Sequence, residues 1–197
     1  MTWFVVGLGN PGEEYSSTRH NAGRMAVHFF AAKAKMGEFR VNAKAKLQSL
    51  DGLIGKTELT LVLPDTFMNK SGLAVARYVK SVKAADHLIV CYDDLDLPLG
   101  TIKLSYDRGS GGHKGLESII AAVKTKKFVR VRIGVSPVNA KGLARKPQGE
   151  EKVSAFILAK FKPAELEELK KVFKRIAQAI ETTVLEGRER AMNEFNS

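Results

Sequence analysis

Trp3 to Gly23 reads WFVVGLGNPGEEYSSTRHNAG, and the order of residue types in it sets the architecture. Trp3-Phe-Val-Val-Gly-Leu8 is a short apolar run of strand length, a glycine-rich turn follows, and about Asn21 to Lys35 has helical character. This is a β-loop-α start. Gly7, Gly9 and Gly12 also satisfy GxGxxG, which raises the question of a dinucleotide cradle. Such a cradle needs backbone N–H groups aimed at a pyrophosphate, but Pro11 has none, and Glu13 and Glu14 would repel the anion. Nor does a second strand ending in an acidic residue stand about 20 positions further on, where the helix ends in Lys33 and Lys35. No cofactor is expected, and Asn10-Pro11-Gly12 reads as a turn that presents Asn10.

The rest of the chain keeps strands and helices alternating. Lys46–Leu50 and Glu58–Leu63 read as two strands joined around Asp51-Gly52, and Asn69–Val82 reads as a helix. Leu88–Tyr92 is a continuous apolar strand suited to burial on both faces, followed by a strand at Thr101–Tyr106, a helix at Gly115–Val123 and a strand at Phe128–Val135. Ser136–Lys152, with two prolines, two glycines and many charges, reads as a basic loop. A lid helix is expected from Val153 to Leu158, so the loop and lid together span about 136–160. The last helix, about 163–187, carries Pro163 in its first turn, Glu165, Glu167 and Glu168 near its N-terminal end, and Gly187 at its stop. Leu166, Leu169, Phe173, Ile176, Ile180 and Val184 form its apolar stripe. The alternation predicts a single α/β domain, three-layer αβα, with a mixed, largely parallel twisted sheet.

Composition narrows the function classes. At 44% apolar and 27% charged residues, 197 residues suffice for one folded domain with a real core. No run reaches the roughly 20 apolar residues that cross a bilayer, and Trp3–Leu8 is too short for a signal-peptide core, so neither a membrane span nor export is expected. The single cysteine, Cys91, excludes an internal disulfide and a multi-cysteine zinc site, fits a cytoplasmic location, and reads as an inert buried hydrophobe. The net charge of +11 is concentrated: between Ile102 and Lys146 eleven Lys and Arg face only Asp107 and Glu117, a net +9. That is an electrostatic footprint for a polyphosphate such as nucleic acid. Anionic lipid is the competing partner, but these charges fall on strands, turns and loops instead of one amphipathic helix.

Five elements in order carry the decisive information: GLGNPG at Gly7, TRHNAG at Thr18, TFMNKSG at Thr66, DDLDLPLG at Asp93 and GSGGHKG at Gly109. With Arg130-Val-Arg-Ile-Gly134, the stretch from Trp3 to Val135 resembles the bacterial-type peptidyl-tRNA hydrolases. The resemblance implies hydrolysis of the ester joining a peptide to the terminal ribose of tRNA, with the acceptor stem and CCA end as partner, no cofactor, no metal and a monomeric protein. An activated ester needs a positioned water and a general base, and histidine, with an ordinary pKa near neutrality, suits that task.

The resemblance makes His20 the base, Asp93 its orienting partner and Asn10 a positioner beside it. It makes Asn69 the group that holds the peptide main chain, with Asn21 in support and Tyr15, Phe67 and Met68 shaping the peptide groove. Any one of these has a plainer reading, an asparagine cap, a structural histidine or, for Met68, a core position, but four matches in four motifs favour the site. His113 reads as shaping the glycine turn and helix start, and no two histidines show the sequence spacing of a metal site. Lys114 stands where the family commonly has asparagine. It is expected either to lower the pKa of His20 by like-charge repulsion or to reach outward to tRNA phosphate. Ser105 replaces a lysine associated in relatives with the tRNA 5′-phosphate, which leaves Lys103, Arg132 and Arg108 as phosphate candidates. A non-catalytic RNA-binding relative would share the basic segment but would have no need of a base and its carboxylate.

Overall fold

The computed structural model describes residues 2–196. In chain order the elements are β1 (Trp3–Gly7), α1 (Ala22–Lys33), β2 (Arg40–Asn42), β3 (Leu47–Ile54), β4 (Thr57–Pro64), α2 (Ser71–Val75), α3 (Val82–Ala85), β5 (Leu88–Pro98), β6 (Ile102–Tyr106), α4 (Lys114–Val123), β7 (Val129–Ser136), α5 (Glu150–Leu158), α6 (Pro163–Glu186) and α7 (Arg188–Phe195). Seven strands make one sheet in the order β2-β3-β4-β1-β5-β7-β6. β4, β1, β5 and β7 run parallel, while β3 pairs antiparallel to β4, β2 antiparallel to β3, and β6 antiparallel to β7.

Alternation along β5 divides the core. Ile89 and Cys91 pack with Ala26, Phe30, Phe173 and Ile176 of α1 and α6, whereas Val90 and Tyr92 pack with Val75, Leu116 and Ile119 on the α2 and α4 side. A strand covered on both faces reads as one apolar run, which is why Leu88–Tyr92 has no polar alternation. The architecture is the expected three-layer domain with a mixed, mostly parallel sheet. Burial pushes the Cys91 thiol up to about 12, so it stays protonated and inert.

Several expectations need correction. Asp51-Gly52 is not the hairpin turn; it lies inside the β3–β4 ladder opposite Thr60 and Leu59. The reversal is at Gly55, whose φ is +60°, and Gly52 lies against the flexible end of the Met36 side chain. Asn69–Val82 is not one helix: a 3₁₀ turn at Met68–Lys70 leads into α2, and Ser81, accepting the Ala84 N–H at 3.1 Å, starts α3 anew. β5 runs past Tyr92 to Pro98, which puts Asp93 within the strand. The helix expected as a lid begins three residues earlier than expected, at Glu150, and none of its residues is fully buried. β2 and α7 were not foreseen, because Arg40-Val-Asn42 is exposed throughout and Arg188-Glu-Arg190 has no apolar periodicity. Among the described residues no helix is long and apolar enough to cross a membrane.

Parallel β4, β1, β5 and β7 all end on one side of the sheet, and the loops that follow them converge there. Ligand sites form at such an edge because strand ends diverge into loops on the two faces.

Candidate active site

A cleft of about 1670 Å³ opens at that edge, bounded by the loops after β1 and β4, the end of β5, β6, the Gly109–Lys114 turn and α5. His20, in the 3₁₀ turn Arg19–Asn21 that leads into α1, is only 7% exposed and lines the cleft. Its Nδ1 lies 2.9 and 3.1 Å from the two carboxylate oxygens of buried Asp93. An ionised carboxylate only accepts, so Nδ1 carries the proton, and in the neutral ring Nε2 keeps its lone pair. Burial pushes the His20 pKa down and Lys114 repels its charged form, but the Asp93 charge and hydrogen bond outweigh both, leaving it above the ordinary value of 6.5. Burial would raise the Asp93 carboxyl; His20 and His113 together hold it well below the usual carboxylate range.

His113 is the residue that sequence reasoning undervalued. It does start α4, as expected: its Nδ1 accepts the N–H groups of Gly115 and Leu116 at 3.2 and 3.3 Å. Its Nε2 also lies 3.0 Å from Asp93 Oδ1. With Nδ1 accepting, the ring proton must sit on Nε2 and be donated to Asp93. The two imidazoles, 5.0 Å apart centre to centre, therefore share one carboxylate. The glycines before His113 signalled a helix start; that its other nitrogen faces Asp93 follows from the packing of α4 beside β5.

The same three side chains offer potential ligand atoms that all lie within 4.8 Å of one another, a proximity the sequence spacing of the histidines did not suggest. A cation there would need a bare His113 Nε2, hence a proton on Nδ1 facing two N–H donors. The donor set is thus better suited to a hydrogen-bonded chain than to a metal.

Asn10 and Asn21 are interlocked. Asn10 N–H donates to Asn21 Oδ1 at 2.8 Å, and Asn21 Nδ2 donates back to Asn10 O at 2.9 Å. Asn10 Oδ1 accepts the Met68 N–H at 3.0 Å, so the loops after β1 and β4 are joined and the Asn10 Nδ2 group is left for the cleft. Phe67, Met68 and Asn69 line the cleft, with Phe67 and Asn69 exposed and Met68 also packed in the core. Tyr15 does not line it; the Tyr15 carbonyl instead accepts both the N–H and the hydroxyl of Thr18, shaping the turn that leads to His20.

Lys114 stands at the cleft on the first turn of α4, and its Nζ lies 3.5 Å from Glu150 Oε1 of α5. Neither expectation foresaw that partner; the ammonium opposes the charged form of His20 as the smallest of the influences on it, and the net shift of His20 is upward. Lys103, Arg132 and Arg108 all border the cleft. Lys103 and Arg132 are direct partners across the β6–β7 ladder, and Arg132 Nε donates to Asp94 Oδ2 at 2.7 Å. His28 and His87 lie outside this cleft.

Comparison with known proteins gives a consistent result. The sequence profile described as peptidyl-tRNA hydrolase matches residues 4–197. A peptidyl-tRNA hydrolase of Chloroflexus aggregans is 41% identical over 197 residues, covering 98% of this chain and 98% of the relative. One from Acidobacterium capsulatum is 42% identical, covering 98% and 95%. The crystal structure of peptidyl-tRNA hydrolase from Acinetobacter baumannii superposes with a TM-score of 0.87 at 32% identity, covering all of this chain and 95% of that one.

Proposed function

This chain belongs to the peptidyl-tRNA hydrolase family, and we propose that it performs the family reaction with His20 as general base and without a metal. The chain is a hydrolase of the ester between peptide and tRNA. The observation that carries the catalytic reading is the His20 Nδ1–Asp93 pair, which leaves Nε2 as the basic atom at the wall of a large cleft.

In this scheme Nε2 takes a proton from water as the water oxygen attacks the ester carbonyl. The C–O bond to the ribose then breaks, and the imidazolium returns the proton to the leaving ribose oxygen. Asp93 fixes the tautomer and stabilises the imidazolium, as the carboxylate of a catalytic triad does. The Asn10 amino group orients water or polarises the carbonyl, and the exposed carboxamide of Asn69 holds the peptide main chain. Phe67 and Met68 offer apolar surface to the peptide. Lys103, Arg132 and Arg108 accept acceptor-stem phosphates while the CCA end enters the cleft, the protein acting as a cytoplasmic monomer.

The test is release of an N-blocked aminoacyl group from tRNA by the wild type and by His20→Ala. A fall of about 10² to 10⁴ in kcat is expected for loss of a general base. Equal rates would remove the base from the scheme.

A further inference from the structure

The residue before the base plays no part in that scheme, yet its guanidinium is buried and both of its terminal nitrogens are bonded, with Nε alone lacking a partner. Arg19 is 6% exposed. Its Nη2 donates to both carboxylate oxygens of Glu165 at 2.9 and 2.8 Å, and its Nη1 to the carbonyls of Ala159 and Lys160 at 3.2 and 3.1 Å. The guanidinium lies 4.5 Å from the Phe156 ring centre and 5.2 Å from that of Phe161. The backbone follows the same line: Arg19 N–H donates to Ala159 O, and Phe161 N–H to Ser17 O. Ser17–Arg19 is thus stitched to the corner where α5 ends and α6 begins.

What this corner supports matters to the reaction. Val153, Ser154 and Ile157 of α5 form part of the cleft wall, but α5 buries no residue fully. A nine-residue helix without a buried face gains little from apolar packing and depends on its attachments. Taking a guanidinium out of water is costly unless charge and hydrogen bonds compensate it. Here that compensation comes from the α5–α6 corner, one residue away from His20.

We propose that Arg19 is a positioning residue for the hydrolysis, one guanidinium that sets both the aim of the His20 imidazole and the place of the α5 wall. The proposal rests on the reading of His20 as base. The charged or titratable groups acting on His20 are Asp93, His113 through Asp93, and Lys114. Arg19 acts through geometry. Arg19→Lys therefore keeps the charge while losing the planar fork and the stacking.

The experiment compares wild type, Arg19→Lys, Phe156→Leu and Glu165→Gln, each assayed well below its own unfolding midpoint. Three quantities are read: kcat, KM, and the hydrogen-bonded Nδ1 proton of His20 by nitrogen-edited NMR. Arg19→Lys is expected to lower kcat about tenfold, equivalent to about 1.4 kcal/mol in the barrier, and to weaken the Nδ1 proton signal. Phe156→Leu, which leaves the hydrogen bonds of Arg19 in place, is expected to raise KM about threefold with little change in kcat. Wild-type kcat, KM and NMR signal in folded variants, with only the midpoint lowered, would overturn the proposal and make Arg19 a clasp for the fold alone. If Arg19→Lys does not fold, Glu165→Gln is judged on the same three quantities. His20→Gln serves as the reference. Full activity in it would defeat the base assignment, while the Nδ1 signal of the Arg19 and Glu165 variants would still decide the positioning role.

Discussion

Asp93 takes a hydrogen bond from His113 Nε2 over 3.0 Å while the other nitrogen of that ring caps α4. The carboxylate paired with His20 is thereby held by a residue whose own tautomer is fixed by a helix start. His113→Asn preserves a good N-cap but cannot serve both partners at once. Asp93 then acts on His20 alone, so the acid limb of the kcat/KM profile is expected to move to higher pH, with kcat down about tenfold. His113→Ala should in addition lose about 1 kcal/mol of stability with the cap. A pH-rate profile with thermal unfolding separates the two effects; a wild-type profile in His113→Asn would contradict the shared-carboxylate arrangement.

Asp93→Asn removes the influence that raises the His20 pKa and leaves the burial that lowers it. The acid limb should therefore shift to lower pH while kcat falls by about 10² to 10⁴, because the tautomer and the imidazolium lose their support. Stability changes with a definite sign. The lowered Asp93 pKa contributes stability above the unfolded carboxyl value of about 3.9 and loses it as pH falls. The raised His20 pKa contributes below about 6.5 and loses it as pH rises through the higher folded value. Urea midpoints at pH 3, 5 and 8 should show both trends in wild type and neither in Asp93→Asn.

Lys114, also at the cleft, opposes the net upward shift of the His20 pKa. Lys114→Asn should move the acid limb upward by a fraction of a pH unit, and Glu150→Gln, which frees the ammonium from its partner, should move it slightly down. High salt should shrink both shifts, since the Lys114 and Glu150 side chains are largely exposed. An unchanged apparent pKa in Lys114→Asn, together with weaker tRNA binding, would assign Lys114 to phosphate instead.

Lys103→Ala should weaken binding of all tRNAs alike and reduce the slope of log affinity against log salt by about one. Arg132 is already paired with Asp94, so Arg132→Ala should lower affinity with a smaller change in slope. Both should leave hydrolysis of a minimal ester substrate lacking the acceptor stem unaffected. Salt-independent activity on full tRNA would argue against the basic wall as the phosphate-binding surface.

Much of this was readable before any coordinates. The period of apolar residues in Trp3–Leu8, Leu88–Tyr92 and α6 placed the sheet and the long helix, because burial on one or both faces leaves a repeat in the residue order. His20, Asp93, Asn10 and Asn69 were singled out through motifs, and the structure brings all four to one cleft. The misreadings have local causes. Asp51-Gly52 has the chemistry of a turn, but its partners Thr60 and Leu59 hold it within the β3–β4 ladder. Asn69–Val82 has helical composition, but α2 stops at Val75, and a new helix starts only where the Ser81 side chain accepts the Ala84 N–H.

Residue order was enough to establish which groups this protein possesses, which family they belong to and which layers they fold into, because those follow from composition, periodicity and motif. It could not say that one carboxylate serves two imidazoles, that Lys114 pairs with Glu150, or that Arg19, next to His20, is bonded to Glu165 of α6. Each of these links residues 20 to 146 positions apart, across elements whose relative placement is set by the packing of helices on both faces of the sheet. A direction in space, such as the one in which a second ring nitrogen points, leaves no trace in a linear pattern.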